Sequence, residues 1–135
     1  MYKKSAMKRT TISLLLLCLM TNTVAAQQAD VVTLMSKDLT DNPEKEVSMI
    51  TVEFPPGGSD PVHRHYAPAF VYVLEGSVVM QVKGGKEVTL TPGQTFFEER
   101  DDVHCVGRNA STTMPAKMLV ILIKDKGAPI LVPVE

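Results

Sequence analysis

The chain has 135 residues, a length that predicts one domain, and it balances 14 Lys+Arg against 15 Asp+Glu for a formal net charge of −1. The charge is uneven, because the first 26 residues contain four of the basic residues and no acidic residue. Residues 27–135 hold 10 Lys+Arg against 15 Asp+Glu, a net charge of −5, which argues against nucleic acid as a partner.

Residues 1–26 have the three parts of a secretory signal peptide. A basic start from Lys3 to Arg9 precedes the apolar run Ile12–Met20, and small residues (VAA) occupy positions 24–26. The apolar run is shorter than the roughly 20 residues that a membrane span needs. We expect cleavage after Ala26 and an exported protein, periplasmic or secreted, with no membrane segment once the signal is removed. An uncleaved N-terminal anchor is the alternative.

The expected mature chain, Gln27–Glu135, divides into a polar leader over residues 27–45 and one domain over residues 46–135. Removal of the signal also removes Cys18, which leaves Cys105 without an intrachain partner. The stability of the domain must then come from packing and not from a disulfide. Cys105 is either a small packed side chain or a thiol that pairs between chains.

Ten short segments rich in β-branched and aromatic residues, separated by turn residues, predict an all-β fold. In chain order they are 31–35, 46–54, 62–65, 70–74, 77–83, 87–90, 95–98, 103–107, 117–124 and 129–132. Their close spacing is typical of a sandwich or a barrel. We expect the aromatic residues of these strands to lie in the core: Phe54, Phe70, Tyr72, Phe96 and Phe97.

Three histidines lie in the mature chain: His63, His65 and His104. The first two are two residues apart, so a strand places both imidazoles on one face. Two neutral imidazoles side by side are natural metal ligands, whereas two surface histidines on an edge strand are the alternative. His104 lies on another predicted strand, which a barrel could bring opposite the pair.

The residues around these histidines resemble the two motifs of the cupin family. The first motif is Gly, five residues, His-x-His, three or four residues, Glu, six residues, Gly; the second begins with Gly and contains a His. The matching residues are Gly57, His63, His65 and Gly76 for the first motif, and Gly93 and His104 for the second. The resemblance covers about residues 49–123 and implies a small cupin-type β-barrel, also called a double-stranded β-helix or jelly roll.

The chain departs from the family pattern where the pattern has a glutamate ligand. That position is Ala69, and a methyl group cannot bind metal. The second motif also departs, with Glu99-Arg100-Asp101 in place of Pro-x-Gly and Arg108 in place of its asparagine. The ligands that carry over are therefore the histidines alone: His63, His65 and His104.

A carboxylate elsewhere in the chain could complete the ligand set. Glu98 is the first choice, either as an extra ligand or as a group that orients a histidine N–H. The alternative is a solvent-exposed charge within the acidic run Glu98–Asp102. Tyr66 and Gln81 are further polar candidates for the pocket, whereas Cys105 should point away from it because it follows His104 on the same strand.

Three neutral imidazoles leave positions open on a divalent metal (Fe, Mn, Ni or Zn) for a small anionic ligand that chelates the ion. Within the cupin family, three-histidine iron sites occur in thiol and diketone dioxygenases. The resemblance therefore implies a metal-dependent oxygenase acting on a small organic molecule. A non-enzymatic periplasmic binding or sensing barrel, and a metal-dependent isomerase or lyase, are the alternatives.

Small cupins often dimerise, so the resemblance also implies a homodimer. Its contact would run from sheet to sheet through Met49, Val71 and Val73.

Overall fold

The computed structural model describes residues 27–135; the expected signal segment, residues 1–26, lies outside the described residues, and export stays a prediction. Within residues 27–135 every regular element is a strand. The strands are β1 (Asp30–Leu39), β2 (Asn42–Phe54), β3 (His63–Arg64), β4 (Ala69–Glu75), β5 (Val78–Val82), β6 (Val88–Leu90), β7 (Thr95–Glu98), β8 (His104–Asn109), β9 (Ala116–Asp125) and β10 (Val132–Pro133). The all-β prediction is confirmed. The described part of the chain contains no helix long and apolar enough to cross a membrane.

The strands form two antiparallel sheets of five strands each. The first sheet has the order β1-β2-β9-β4-β7, and the second has the order β10-β3-β8-β5-β6. Strands that are distant in sequence are neighbours in both sheets, as in a jelly roll. This topology brings the segments that contain the histidines and Glu98 to the same space between the sheets.

The core lies between the two sheets, because alternate residues of each strand point inward. Ile50, Val52 and Phe54 of β2 are at most 5% exposed, and Phe54 is the largest fully buried side chain. Val78 and Met80 enter the same cluster from the second sheet, and both are fully buried. The expected core position of Phe54 is therefore correct, and Phe96 packs against the core while partly exposed.

The segment 27–45, predicted to be a polar leader, contains β1 and the beginning of β2. β1 pairs with β2 in an antiparallel hairpin, from Asp30 opposite Glu53 to Asp38 opposite Glu46. β1 is an edge strand whose residues are almost all exposed. Half of its residues are apolar in spite of this exposure, and Val31 reaches the cavity between the sheets.

Strand β4 faces the opposite way from the sequence prediction. Val71 and Val73 are 2% and 0% exposed, whereas Phe70 and Tyr72 are 46% and 44% exposed. The stretch FVYVL is apolar at every position, so its alternation cannot show which set of side chains faces inward. The core positions expected for Phe70, Tyr72 and Phe97 are wrong, and Val71 and Val73 are too deeply buried to contact a second copy.

Gly76 ends the turn after β4 with a φ of 66°, in the left-handed region. A Cβ built there would lie 2.4 Å from the carbonyl oxygen of Pro115 and 2.8 Å from the Cα of Ala116. Both neighbours are backbone atoms, so the turn cannot adapt to a side chain without moving β9.

We expect Gly76→Ala to lower the free energy of unfolding by at least about 3 kcal/mol, since it combines backbone strain with a steric clash. Gly84→Ala is the matched control, because Gly84 has a φ of 85° but no atom within 4 Å of its built Cβ. Gly84→Ala should lower the free energy of unfolding by about 1–2 kcal/mol, which is the cost of the backbone strain without a clash. Urea denaturation measures both, and equal losses would contradict the clash.

Candidate metal centre

Four side chains meet in the space between the two sheets: His63, His65, Glu98 and His104. One nitrogen or oxygen atom of each lies within 4.8 Å of those of the other three. His63, Glu98 and His104 are each 2% exposed, and the His65 side chain is 10% exposed. The structure thus brings together the three histidines and the carboxylate that the sequence singled out.

The register of the second sheet places the histidines side by side. His63 of β3 lies directly opposite His104 of β8, and their ring centroids are 4.9 Å apart. His65 follows directly after the end of β3, and its ring lies 4.7 Å from that of His63. The strand pairing therefore makes one cluster from two motifs that are about forty residues apart in the chain.

The donor atoms of the four side chains form a closed ring. Nε2 of His63 lies 3.2 Å from Nε2 of His65 and 3.4 Å from Nδ1 of His104. The two carboxyl oxygens of Glu98 lie 3.5 Å from Nε2 of His65 and 3.6 Å from Nδ1 of His104. Ligands about 2.1 Å from one ion are about 3.0 Å apart in octahedral geometry and about 3.4 Å apart in tetrahedral geometry. The ring therefore has close to the spacing that a single metal ion requires.

Backbone carbonyls orient two of the imidazoles. Nδ1 of His63 lies 2.8 Å from the carbonyl oxygen of Pro61, and Nδ1 of His65 lies 2.6 Å from that of Ile130. A carbonyl oxygen can only accept, so each Nδ1 donates its proton and each Nε2 presents a lone pair to the cluster.

His104 has the opposite orientation. Its Nδ1 faces the cluster, and its buried Nε2 has no hydrogen-bond partner among residues 27–135. Gly107 makes room for this ring, because a Cβ built on Gly107 would lie 2.8 Å from Cε1 of His104. Oδ2 of Asp60 lies 3.4 Å from the same built Cβ, so an acidic side chain is on that side of the ring.

Glu98 supplies its carboxyl group from the strand next to Ala69. The register of the first sheet pairs Ala69 of β4 directly with Glu98 of β7, so both side chains point to the same inner face. The methyl group of Ala69 leaves space for the longer side chain opposite it. Burial of Glu98 excludes the exposed-turn interpretation for this residue.

Burial shifts the pKa values of the cluster toward the uncharged forms. It raises the pKa of Glu98 to about 8, and the negative charges of Asp102 and Asp60 add to this shift. Burial and then the neighbouring imidazoles of His63 and His65 lower the pKa of His104 to about 4. Burial is also the main cause that lowers the pKa values of His63 and His65. At neutral pH the cluster thus has three imidazole lone pairs ready for a cation and one carboxyl proton to release.

A cavity of about 30 Å³ adjoins the cluster. Apart from the four cluster residues and Asp60, its lining is apolar: Val31, Ile50, Val52, Val71, Met118, Val120, Ile130 and Leu131. Burial raises the pKa of Asp60 to about 6. Asp60, the acidic residue in the spacer between Gly57 and His63, lines the cavity although no sequence pattern singled it out.

The other polar candidates lie away from the cavity. Tyr66 is 45% exposed, and the amide of Gln81 donates to the carbonyl oxygen of Gly85. Sγ of Cys105 lies 3.4 Å from the carbonyl oxygen of Gln81, outside the cluster as expected. Neither Tyr66 nor Gln81 lines the cavity, so neither supports the role that the sequence suggested.

The family model described as "Cupin domain" matches residues 50–122. No curated protein matches the chain. Among solved structures, TT1209 from Thermus thermophilus is 27% identical with a TM-score of 0.58, covering 71% of this chain and 83% of that one. An oxalate oxidase in complex with the substrate analogue glycolate is 27% identical with a TM-score of 0.60, covering 84% of this chain and 58% of that one.

The DMSP lyase DddQ from Ruegeria pomeroyi DSS-3 is 21% identical with a TM-score of 0.63, covering 78% of this chain and 51% of that one. The chain therefore spans about half the length of that lyase, and the likeness concerns the fold. The family match extends over more than half of the chain and coincides with the strands that form the cluster. This protein belongs to the cupin superfamily.

Proposed function

We propose that the protein binds one divalent transition-metal ion through His63, His65, Glu98 and His104. The observation that carries this proposal is the closed ring of four donors with contacts of 3.2–3.6 Å. Three imidazoles and one carboxylate suit Fe, Mn, Ni or Zn, whereas Mg²⁺ and Ca²⁺ prefer oxygen ligands alone.

The proposed reaction is the oxidation, by dioxygen, of a small organic acid that chelates the metal. Four protein ligands leave two of six octahedral positions open, and ionised Glu98 leaves a net charge of +1 that attracts an anion. A redox-active ion bound there would supply Lewis-acid and electron-transfer chemistry. Oxalate oxidase, similar in fold to this chain, is described with glycolate, which is a small acid of this type.

The protein groups around the ion define what the site can accept. The cavity of about 30 Å³ admits only a small molecule, and most of its lining residues are apolar. Asp60 is the acidic group in the cavity wall that is not part of the donor ring. We assign Asp60 the role of a general base, in which one of its own carboxylate oxygens accepts a proton from the bound substrate.

Moving the carboxylate between the two strands tests the proposed ligand set. Glu98→Ala should weaken zinc binding at least about 100-fold, because it removes the anionic ligand. The double variant Ala69→Glu/Glu98→Ala puts a carboxylate on the opposite strand, at the position where the cupin motif has one, and should recover at least about tenfold of that loss. Isothermal titration calorimetry with Zn²⁺ measures all three proteins.

Glu99→Ala is the control, because Glu99 is the exposed neighbour of Glu98 and should leave zinc affinity unchanged. Wild-type protein that binds neither Zn²⁺ nor Mn²⁺ would overturn the metal proposal. Wild-type affinity in Glu98→Ala would remove Glu98 from the ligand set.

Zinc affinity should rise with pH and level off near pH 8. Below the pKa of about 8 that burial gives Glu98 in the metal-free protein, the ion must displace the carboxyl proton. The affinity should therefore rise about tenfold for each pH unit below about pH 7 and about fivefold between pH 7 and 8, with nearly one proton released per ion at pH 7. The lowered pKa values of the histidines keep them neutral over this range. Competition with a chelator from pH 6.5 to about 8.5 measures how steeply zinc affinity depends on pH. An equal slope in Glu98→Gln would show that this pH dependence does not come from the Glu98 carboxyl group.

Oxygen uptake tests the reaction. Iron- or manganese-loaded protein should consume dioxygen with at least one member of a panel of glycolate, oxalate, thiols and diketones. Asp60→Asn should lower kcat about 100-fold while leaving metal affinity within about twofold, since Asp60 lies outside the donor ring. His104→Ala, which loses a ligand, should abolish uptake. Metal-loaded protein without uptake on any substrate would overturn the oxidation proposal, leaving a lyase, an isomerase or a binding protein.

A further inference from the structure

Residues 128–134, which follow β9, form one wall of the cavity beside the metal cluster, and we call them the C-terminal strap. Ile130 and Leu131 of the strap line this cavity. The carbonyl oxygen of Ile130 also lies 2.6 Å from Nδ1 of His65 and accepts its proton. The strap therefore contacts the candidate metal centre in two ways, as a wall of the cavity and as the group that orients one ligand.

The strap is held to the rest of the protein near its start and near its end. Near the start, Nζ of Lys124 donates to the carbonyl oxygen of Ala128 at 2.7 Å, and the Lys124 side chain is 5% exposed and paired with Glu46. Near the end, the two residues of β10 pair with β3, and the N–H of Val134 donates to the carbonyl oxygen of Val62 at 3.0 Å. The residues that line the cavity lie between these two attachments.

The strap is the cavity wall with the least burial and the shortest strand pairing. No residue from 125 to 135 is buried, whereas Val31 of β1 is the one exposed residue among the apolar wall residues outside the strap. β1, however, pairs with β2 along nearly its whole length. Segments with little buried surface and few paired backbone groups open locally at the lowest free-energy cost. Of the walls, the strap should therefore open most readily.

The candidate metal centre needs a wall that opens. The cavity of about 30 Å³ has room for about two or three water molecules, and a chelating acid such as glycolate is larger than that. The side chains of the cluster are at most 10% exposed, so an ion also needs a path to them. A wall must therefore move before an ion or a substrate can enter.

We infer, on the basis of the proposed metal binding, that the C-terminal strap is the gate of the metal centre. It opens away from β3 to admit the ion and the substrate, and its closure is coupled to the bound ion through His65. With an ion on Nε2, the His65 ring donates more strongly from Nδ1 to the carbonyl oxygen of Ile130. A bound ion thus favours the closed strap, and by linkage the closed strap favours the bound ion.

A disulfide that pins the strap to β3 tests the gate. Arg64 and Val132 are directly paired, so Arg64→Cys/Val132→Cys, made in a Cys105→Ser chain, places two thiols where a disulfide can form. The oxidised protein should take up Zn²⁺, and release it to a chelator, at least about tenfold more slowly than the same protein with its thiols reduced and capped by iodoacetamide. Its equilibrium zinc affinity should not fall. Stopped-flow mixing measures both rates.

A second disulfide is the matched control. Val32→Cys/Thr51→Cys in the same Cys105→Ser chain pins β1, the other wall with an exposed residue, to β2. Because β1 already pairs along nearly its whole length, its oxidation should leave both zinc rates within about twofold of those of its capped form.

Loosening the strap should have the opposite effect. Lys124→Met removes the ammonium group that holds the carbonyl oxygen of Ala128, so zinc release to a chelator should be at least about threefold faster. Lys126→Met is the control, because it removes only an exposed ion pair with Asp38, and its release rate should match that of the wild type. Urea denaturation of both variants establishes that the rates are measured on folded protein.

Hydrogen exchange tests the coupling through His65 without any assay of activity. In the metal-free protein the amides of residues 128–134 should exchange faster than those of β9, because the strap opens locally. Zinc should slow the exchange of the strap at least about tenfold, since the bound ion favours the closed form. Exchange of the strap that zinc leaves unchanged would contradict this coupling.

The zinc rates distinguish failure of the gate from failure of the metal site. Equal rates in the pinned and the capped strap variants would overturn the gate and leave the metal proposal intact. Slower rates with the β1 disulfide alone would place the entry at β1 instead. Wild-type protein that binds neither Zn²⁺ nor Mn²⁺ would overturn the proposed metal binding, and the gate with it.

Discussion

Two strand pairings, one in each sheet, are the constraint on which the candidate metal centre depends. In the second sheet His63 lies opposite His104, and in the first sheet Ala69 lies opposite Glu98. Each pairing fixes the side on which its residues point, and both point into the same space between the sheets. A slip of one residue in either register would turn Glu98 or the histidines to the outside. The precision of the cluster therefore comes from backbone hydrogen bonding and not from contacts among the ligands.

Burial of four polar side chains carries a cost, and the structure limits that cost in two ways. The carbonyl oxygens of Pro61 and Ile130 accept the Nδ1 protons of His63 and His65, which replaces hydrogen bonds to water. The pKa values of Glu98 and His104 shift toward their neutral forms, which avoids buried charge. The buried Nε2 of His104 keeps no partner in the described chain. The unpaired nitrogen costs stability locally, but it leaves Nδ1 of His104 facing the cluster, where it suits a cation. Such conflicts between stability and function are expected at functional sites.

The first sheet is buried by its own chain on one side only, yet its strands are apolar on both sides. In β7, Phe97 points outward while its neighbour Glu98 points into the cluster. In β4, Phe70 and Tyr72 point outward while Ala69, Val71 and Val73 point inward. Fully apolar strands are typical of sheets that are covered on both sides. The same short strands thus place one set of side chains in the candidate metal centre and leave Phe70, Tyr72 and Phe97 on the outside of the first sheet.

Local sequence patterns were enough to predict the ten strands and the same-face placement of His63 and His65, because alternation and turn residues act over a few positions. The grouping of His104 with them followed from the resemblance to the cupin motifs, and Glu98 was a candidate whose burial the structure decided. Tertiary packing was needed to establish the pairing of Ala69 with Glu98, the direction of β4, the place of β1 in the sheet and the approach of Asp60 to the cavity. These features depend on which distant strands become neighbours. A stretch such as FVYVL is compatible with either direction, and the packing of the whole sheet selects one.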